Sequence, residues 1–257
     1  LKLANLVYTE AVRVSAEADQ TTGLRKMQNL QRKGIRLYQE FLSGHKGRYA
    51  KPEGEVKAVA EFHLSRLYAD SGQGAKAKRI WQRLVKLDEY PRLVAESALW
   101  LAELAEADNP ASKTALRYYD LVLELDKKHD TRTYAQYRRA WILRNQGRFD
   151  LAIPALKESL WDAKGQVKDE VLSDLIVFST LSSSSHESVI AYFQDLEERL
   201  ERTDLLIKLV DAYHSAGKKG PVVASLKETV KRHPSLVVMS RLLEESYGIR
   251  DWDTFRR

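Results

Sequence analysis

The sequence predicts an all-α protein of stacked antiparallel helix pairs, and three observations carry that prediction. Charged residues fill 30% of the 257 positions while Gly and Pro number only 12 and 6, a balance that suits long helices better than a turn-rich sheet. Apolar residues recur at helical spacing, as in Ala58, Phe62, Leu64, Leu67 and Tyr68, and again in Leu205, Leu206, Leu209, Val210 and Tyr213. A small residue followed one turn later by a large one also returns along the chain: Ala77 with Trp81, Ala115 with Tyr119, Ala152 with Leu156, Val189 with Phe193, and Val222 with Leu226. From 77 to 115, 152, 189 and 222 the steps are 38, 37, 37 and 33 residues.

Between the helical stretches lie turn signals: Ser71-Gly72-Gln73-Gly74, Asp108-Asn109-Pro110, Asn145-Gln146-Gly147, Ser182 to Ser185, and Ala216 to Gly220. Two helices and one turn per period make an array of αα-hairpins. A helix pair has an apolar face that it cannot bury alone, so neighbouring pairs must stack. The small residues then sit where helices approach closely, and the large ones fill the gaps between units.

Taken in order, the units are expected over residues 1–45, 54–90, 93–128, 132–164, 168–201 and 203–234, with a cap over 236–257, all within a single domain. In the first, Gly34 to Leu42 reads as a second helix after a first over about Leu3 to Ala18. In the fourth, Pro154 stands inside the apolar pattern, where a proline removes a backbone donor. The conflict resolves if that helix starts near Asp150, an N-cap candidate, so that Pro154 falls at about its fourth position. Gly220-Pro221 repeats the arrangement two units later. Trp252 and Phe255 are expected to pack in the cap.

Bulk properties exclude more than they assign. The net charge of +6 and pI near 9.3 come from 42 basic residues offset by 36 acidic ones, a weak bias towards anionic partners. With no cysteine there are no disulfides or thiolate ligands, and the compartment stays open. No apolar run approaches the roughly 20 residues that cross a bilayer. The chain begins at Leu1 without methionine or a signal-like stretch, and so reads as a piece of a longer protein.

The residues resemble a tetratricopeptide-type repeat. One copy runs from Thr203 to Pro234, with Leu209, Val210, Tyr213, Gly217, Val222, Leu226 and the closing Pro234 at that repeat's spacings. Another starts at Thr133, with Ala140, Gly147, Phe149, Ala152 and Leu156, and a third at Ala58, with Leu64, Tyr68, Gly72, Ala77 and Trp81. The copies over Leu99 to Leu125 and Val171 to Leu200 lack the turn glycine. The resemblance covers about residues 24–247 and implies a right-handed superhelical α-solenoid.

No phosphate loop, dinucleotide fingerprint, metal-binding His/Glu pair or nucleophile elbow is present, so a noncatalytic protein without cofactor or metal is expected. The six histidines are scattered and read as surface or core residues. Glu197, Glu198 and Glu201, beside Arg199 and Arg202, read as a solvated, salt-bridged face. Ser182 to Ser185 reads as a polar turn in preference to a phosphorylation site.

The resemblance implies that the first helix of each unit lines a concave inner surface. Carried onto this sequence, the partner-binding positions are Phe62, Arg66 and Asp70; Leu99, Glu103 and Glu106; Tyr137, Trp141, Arg144 and Asn145; Asp174 and Phe178; and Ile207, Asp211 and His214. Aromatic and Arg anchors of this kind fit a protein or extended-peptide partner. Glu103, Glu106, Asp174 and Asp211 would repel a free carboxylate terminus. The stretch YQEFL from Tyr38 resembles repeats of bacterial cell-envelope assembly and motility proteins, which favours a periplasmic setting over the cytoplasm. Two alternatives stand. Arg132, Arg138, Arg139, Arg144 and Arg148, interleaved with Tyr134, Tyr137 and Trp141, could stack and neutralise a nucleic acid, the less favoured partner. Otherwise the chain is the helical accessory part of an enzyme whose catalytic part lies outside it. The oligomeric state is left open.

Overall fold

The computed structural model describes residues 9, 22–44, 50–125, 130–251 and 254. The expected helix over Leu3 to Ala18, and Trp252 and Phe255 of the cap, lie outside the described residues. Among those described there is no strand, and the helices are α1 (Thr22–Leu42), α2 (Gly54–Asp70), α3 (Gly74–Leu84), α4 (Pro91–Asp108), α5 (Lys113–Leu125), α6 (Asp130–Asn145), α7 (Phe149–Asp162), α8 (Gly165–Leu181), α9 (His186–Leu200), α10 (Leu205–Ser215), α11 (Lys219–Arg232) and α12 (Leu236–Gly248).

The chain forms two compact units, Leu1–Ala135 and Gln136–Arg257, so the division falls within α6. In the first unit each helix from α1 to α5 packs on the next, and α2 also touches α4. In the second, α7 packs on α8, α10 on α11 and α11 on α12, while the alternate pairs α8 with α10 and α9 with α11 also meet. Contact between alternate helices is what stacking of helix pairs requires.

The ten residues of the small-and-large pattern are all buried, with Ala77, Ala115, Ala152, Tyr119, Leu156, Phe193 and Leu226 fully inaccessible. An alanine at the crossing lets two helix backbones approach, and each buried large side chain contributes roughly 1.5–3 kcal/mol by leaving water.

Three turns have one geometry. At Gly72, Gly147 and Gly217 the backbone takes φ of 77°, 76° and 69°. The next amide then reaches back to close the helix: Gln73 to the Tyr68 carbonyl (2.7 Å), Arg148 to Leu143 (2.9 Å) and Lys218 to Tyr213 (3.0 Å). The two units without a turn glycine use side chains. The Asn109 carboxamide accepts from the Ala111 amide at 2.9 Å and Ser112 from Ala115 at 3.1 Å. In the serine run, the Ser182 hydroxyl donates to the Ser179 carbonyl at 2.9 Å and Ser185 caps α9 by accepting from the Ser188 amide at 3.3 Å.

Two expectations change. Helix α7 starts at Phe149 behind an N-cap at Arg148, not near Asp150. Counting from Phe149, Pro154 is the sixth helical residue and leaves the Asp150 carbonyl without its intrahelical donor. Pro221 is third in α11, within the turn whose amides are unpaired in any helix. Glu197 does not lie on a solvated face: it is 2% exposed, accepting from the Leu206 amide at 3.0 Å and lying 3.3 Å from His233 Nε2.

Candidate functional site

Within the second unit, α6 and α8 bring six of the expected positions together. Tyr137 and Trp141 are one turn apart on α6, so both side chains leave the same helical face. The Tyr137 hydroxyl donates to Asp174 Oδ2 on α8 at 2.6 Å, and the Trp141 indole Nε1 donates to the same oxygen at 3.0 Å. Burial, and then the bond to Asp174, push the Tyr137 phenol up to about 12, so it remains a donor throughout the physiological range.

Phe178 lies one turn after Asp174 and is fully buried. The Trp141 ring meets it edge-on at 5.2 Å and Phe149 does so at 6.3 Å. On the outer side of Trp141, the Arg144 guanidinium lies over the indole at 5.6 Å and donates to the Asn145 side-chain oxygen at 3.1 Å. Arg144 and Trp141 are half-buried and Asn145 is exposed.

The other second-unit positions are occupied by the chain itself. Arg241 of α12 donates to Asp211 at 2.6 Å, and Glu245 of α12 lies 3.4 Å from His214 Nε2. Ile207 is half-buried. In the first unit, Phe62 and Glu106 are buried, and Glu106 accepts from the Tyr119 hydroxyl at 2.8 Å. Phe62, Glu106 and Phe178 are therefore corrected from surface positions to interior ones: each turns towards a neighbouring helix that the spacing of its own helix does not reveal. Leu99 and Glu103 are half-buried and Asp70 is exposed. Arg66 places its guanidinium 5.8 Å from the Trp100 ring, which stacks on Trp81 at 5.3 Å.

PilW, described as a widely conserved type IV pilus biogenesis factor, superposes with a TM-score of 0.52 at 15% identity, over 95% of this chain and 99% of that one. The chain has a tetratricopeptide-type fold. A putative kinesin light chain with TPR-like repeats from Podosopora anserina gives 0.47 at 15% identity, over 90% and 96% of the two chains. A tetratricopeptide repeat protein from Parabacteroides merdae gives 0.45 at 14% identity, over 97% and 89%. No protein-family model and no curated protein matches the sequence.

The Tyr137, Trp141 and Asp174 cluster joins α6 to α8. The basic stretch of α6 is divided by its contacts. Arg132 donates to the Leu123 carbonyl at 2.6 Å, and Trp141 and Tyr137 have their polar atoms on Asp174. Two features escaped the spacing argument. Trp100 lies beside Leu99 but about 100° round the helix. Tyr192 on α9 receives the Lys157 ammonium of α7 at 3.6 Å from its ring. Among the described residues no cluster of acidic residues and histidines could hold a metal ion, and no helix is long and apolar enough to cross a membrane.

Proposed function

We propose that the chain is a noncatalytic scaffold whose α6 and α8 surface binds a protein or extended peptide. The observation that carries this is the half-buried Trp141, fixed by Asp174 and Phe178 beneath and covered by Arg144, with Asn145 exposed beside it. A rigid aromatic and a planar cation at a surface lose little conformational entropy on binding, which is why such residues dominate interface energetics. Asn145 and the free edge of Arg144 supply adaptable polar contacts at the rim.

The setting we favour is a larger assembly of the bacterial cell envelope. The resemblance of the Tyr38 to Leu42 stretch to repeats of such assemblies supports it, and PilW, a pilus biogenesis factor, is a solved chain of this fold.

The test is site-directed photo-crosslinking in cells of the source organism, with the reactive residue at Asn145 and a control at exposed Asp195 on α9. A discrete adduct at Asn145 that is absent at Asp195, and that Arg144→Ala weakens without lowering the melting temperature, is the expected result. Equal adducts at both positions, or none at Asn145, would remove the assignment.

A further inference from the structure

The serine run between α8 and α9 lines one side of a cleft of about 290 Å³, and Tyr213 of α10 and Lys218 at the start of α11 line another. Lys218 is half-buried, and its Nζ donates to the Thr180 carbonyl at 2.5 Å. No carboxylate among the described residues pairs with it, so two ammonium protons and the full charge have no acid to answer them. Tyr213 is 2% exposed as a residue, and its hydroxyl, which bonds no described residue, opens on the cleft. Burial first, and then Glu187, push that phenol up to about 12, leaving it a donor.

The third element is the start of α9. Ser185 satisfies the Ser188 amide, and the partial positive charge of the helix terminus falls on this end of the cleft. Glu187 reports that field: its carboxyl is held below the ordinary glutamate range, first by its own backbone amide and also by His186. Glu187 does not line the cleft, and its Oε1 lies 2.9 Å from His186 Nε2. Ser183 and Ser184 are exposed at the mouth.

We propose that this cleft is an oxyanion site that takes a phosphate group, held by the Lys218 ammonium, the Tyr213 hydroxyl and the hydroxyls of Ser183 and Ser184. Among the described residues, the Tyr213 hydroxyl on the cleft has no acceptor and the half-buried Lys218 ammonium has no acid, and one oxyanion would engage both donors. The site is separate from the Trp141 surface and stands independently of the scaffold reading.

The experiment titrates inorganic phosphate into the full chain at constant ionic strength, balanced with chloride, and follows backbone amide NMR shifts. Saturable shifts confined to the 182–188 and 217–219 amides are expected, with no response to chloride. Tyr213→Phe deletes a hydroxyl that bonds no described residue, so it should keep the melting temperature and weaken phosphate binding about tenfold. Lys218→Gln should abolish saturation. A phosphoserine peptide titrated in parallel identifies the source: tighter binding than inorganic phosphate assigns the group to a partner chain, and equal or weaker binding to free phosphate. Non-saturating shifts that match those in chloride, or a Tyr213→Phe protein that binds phosphate as the parent does, would overturn the proposal.

Discussion

Tyr137 and Trp141, on consecutive turns of α6, share a single acceptor, the Oδ2 atom of Asp174 on α8. Asp174→Ala removes the acceptor that both donors share, and should lower stability by about 2 kcal/mol in urea unfolding. Asp174→Asn keeps one acceptor oxygen and should lose less. A loss for Asp174→Ala within about 0.5 kcal/mol of zero would mean that water replaces the carboxylate at no cost. The same geometry implies that Trp141→Ala with Tyr137→Ala lowers the melting temperature, because these side chains join α6 to α8.

Tyr137 also predicts alkaline behaviour. Its phenol is raised from the ordinary value near 10 to about 12, so the folded state holds the proton more tightly than the unfolded state. The stabilisation is complete below pH of about 10 and is lost as pH rises towards 12. A tyrosinate absorbance titration should show late-ionising phenols, Tyr192 and Tyr213 among them, whose amplitude Tyr137→Phe reduces by one group. Ionisation of every phenol by pH of about 10 would contradict the described bond.

Glu197 places a buried carboxylate on the first amides of α10, where a negative charge suits the helix terminus. Glu197→Ala should cost about 2 kcal/mol, measured by chemical unfolding, and Glu197→Gln, which retains an acceptor, should cost less. Equal losses would show that charge, not the acceptor, is what the site needs.

Gly147 and Gly74 separate backbone strain from space. An added Cβ meets nothing within 4 Å at either, but only Gly147 has a left-handed backbone, with φ of 76°. Gly147→Ala should destabilise by about 1 kcal/mol. Gly74→Ala, at the first residue of α3, should stabilise by up to about 1 kcal/mol through the unfolded state. Differential scanning calorimetry of the two variants should give shifts of opposite sign.

Arg202 ties α8 to the start of α10, donating to Asp169 at 2.7 Å and to Asp204 at 2.6 and 2.7 Å. The Asp204 carboxyl is held well below the ordinary aspartate range by Arg202 above all, with Lys208 assisting. A depressed carboxyl stabilises above its unfolded pKa of about 3.9 and loses that contribution as pH falls below it. Arg202→Gln should therefore raise the midpoint of acid unfolding, and an unchanged midpoint would show the pair to be solvent-screened.

The helix pairs were legible because their cause is local and periodic. Ala77, Ala115 and Ala152 recur at each crossing, and Gly72, Gly147 and Gly217 recur where only a left-handed residue closes the turn. The start of α7 differs from the sequence expectation because Asp150 is a good cap in isolation, whereas the Gly147 turn commits Arg148 to that role. Phe62, Phe178 and Glu106 were misplaced for a different reason. Helical spacing states which residues share a face, but not how far the next helix covers it.

What the sequence determined by itself is the all-α class, the repeated small and large pair and the turns between helices, since each depends on residues within one period. Only the tertiary structure decided that Asp174 holds Tyr137 and Trp141, that Arg241 engages Asp211, and that Tyr213 and Lys218 meet the serine run with no acid among the described lining residues. Such pairings join residues some 30 to 38 positions apart, and their geometry depends on how helices are rotated against one another, which side-chain packing decides.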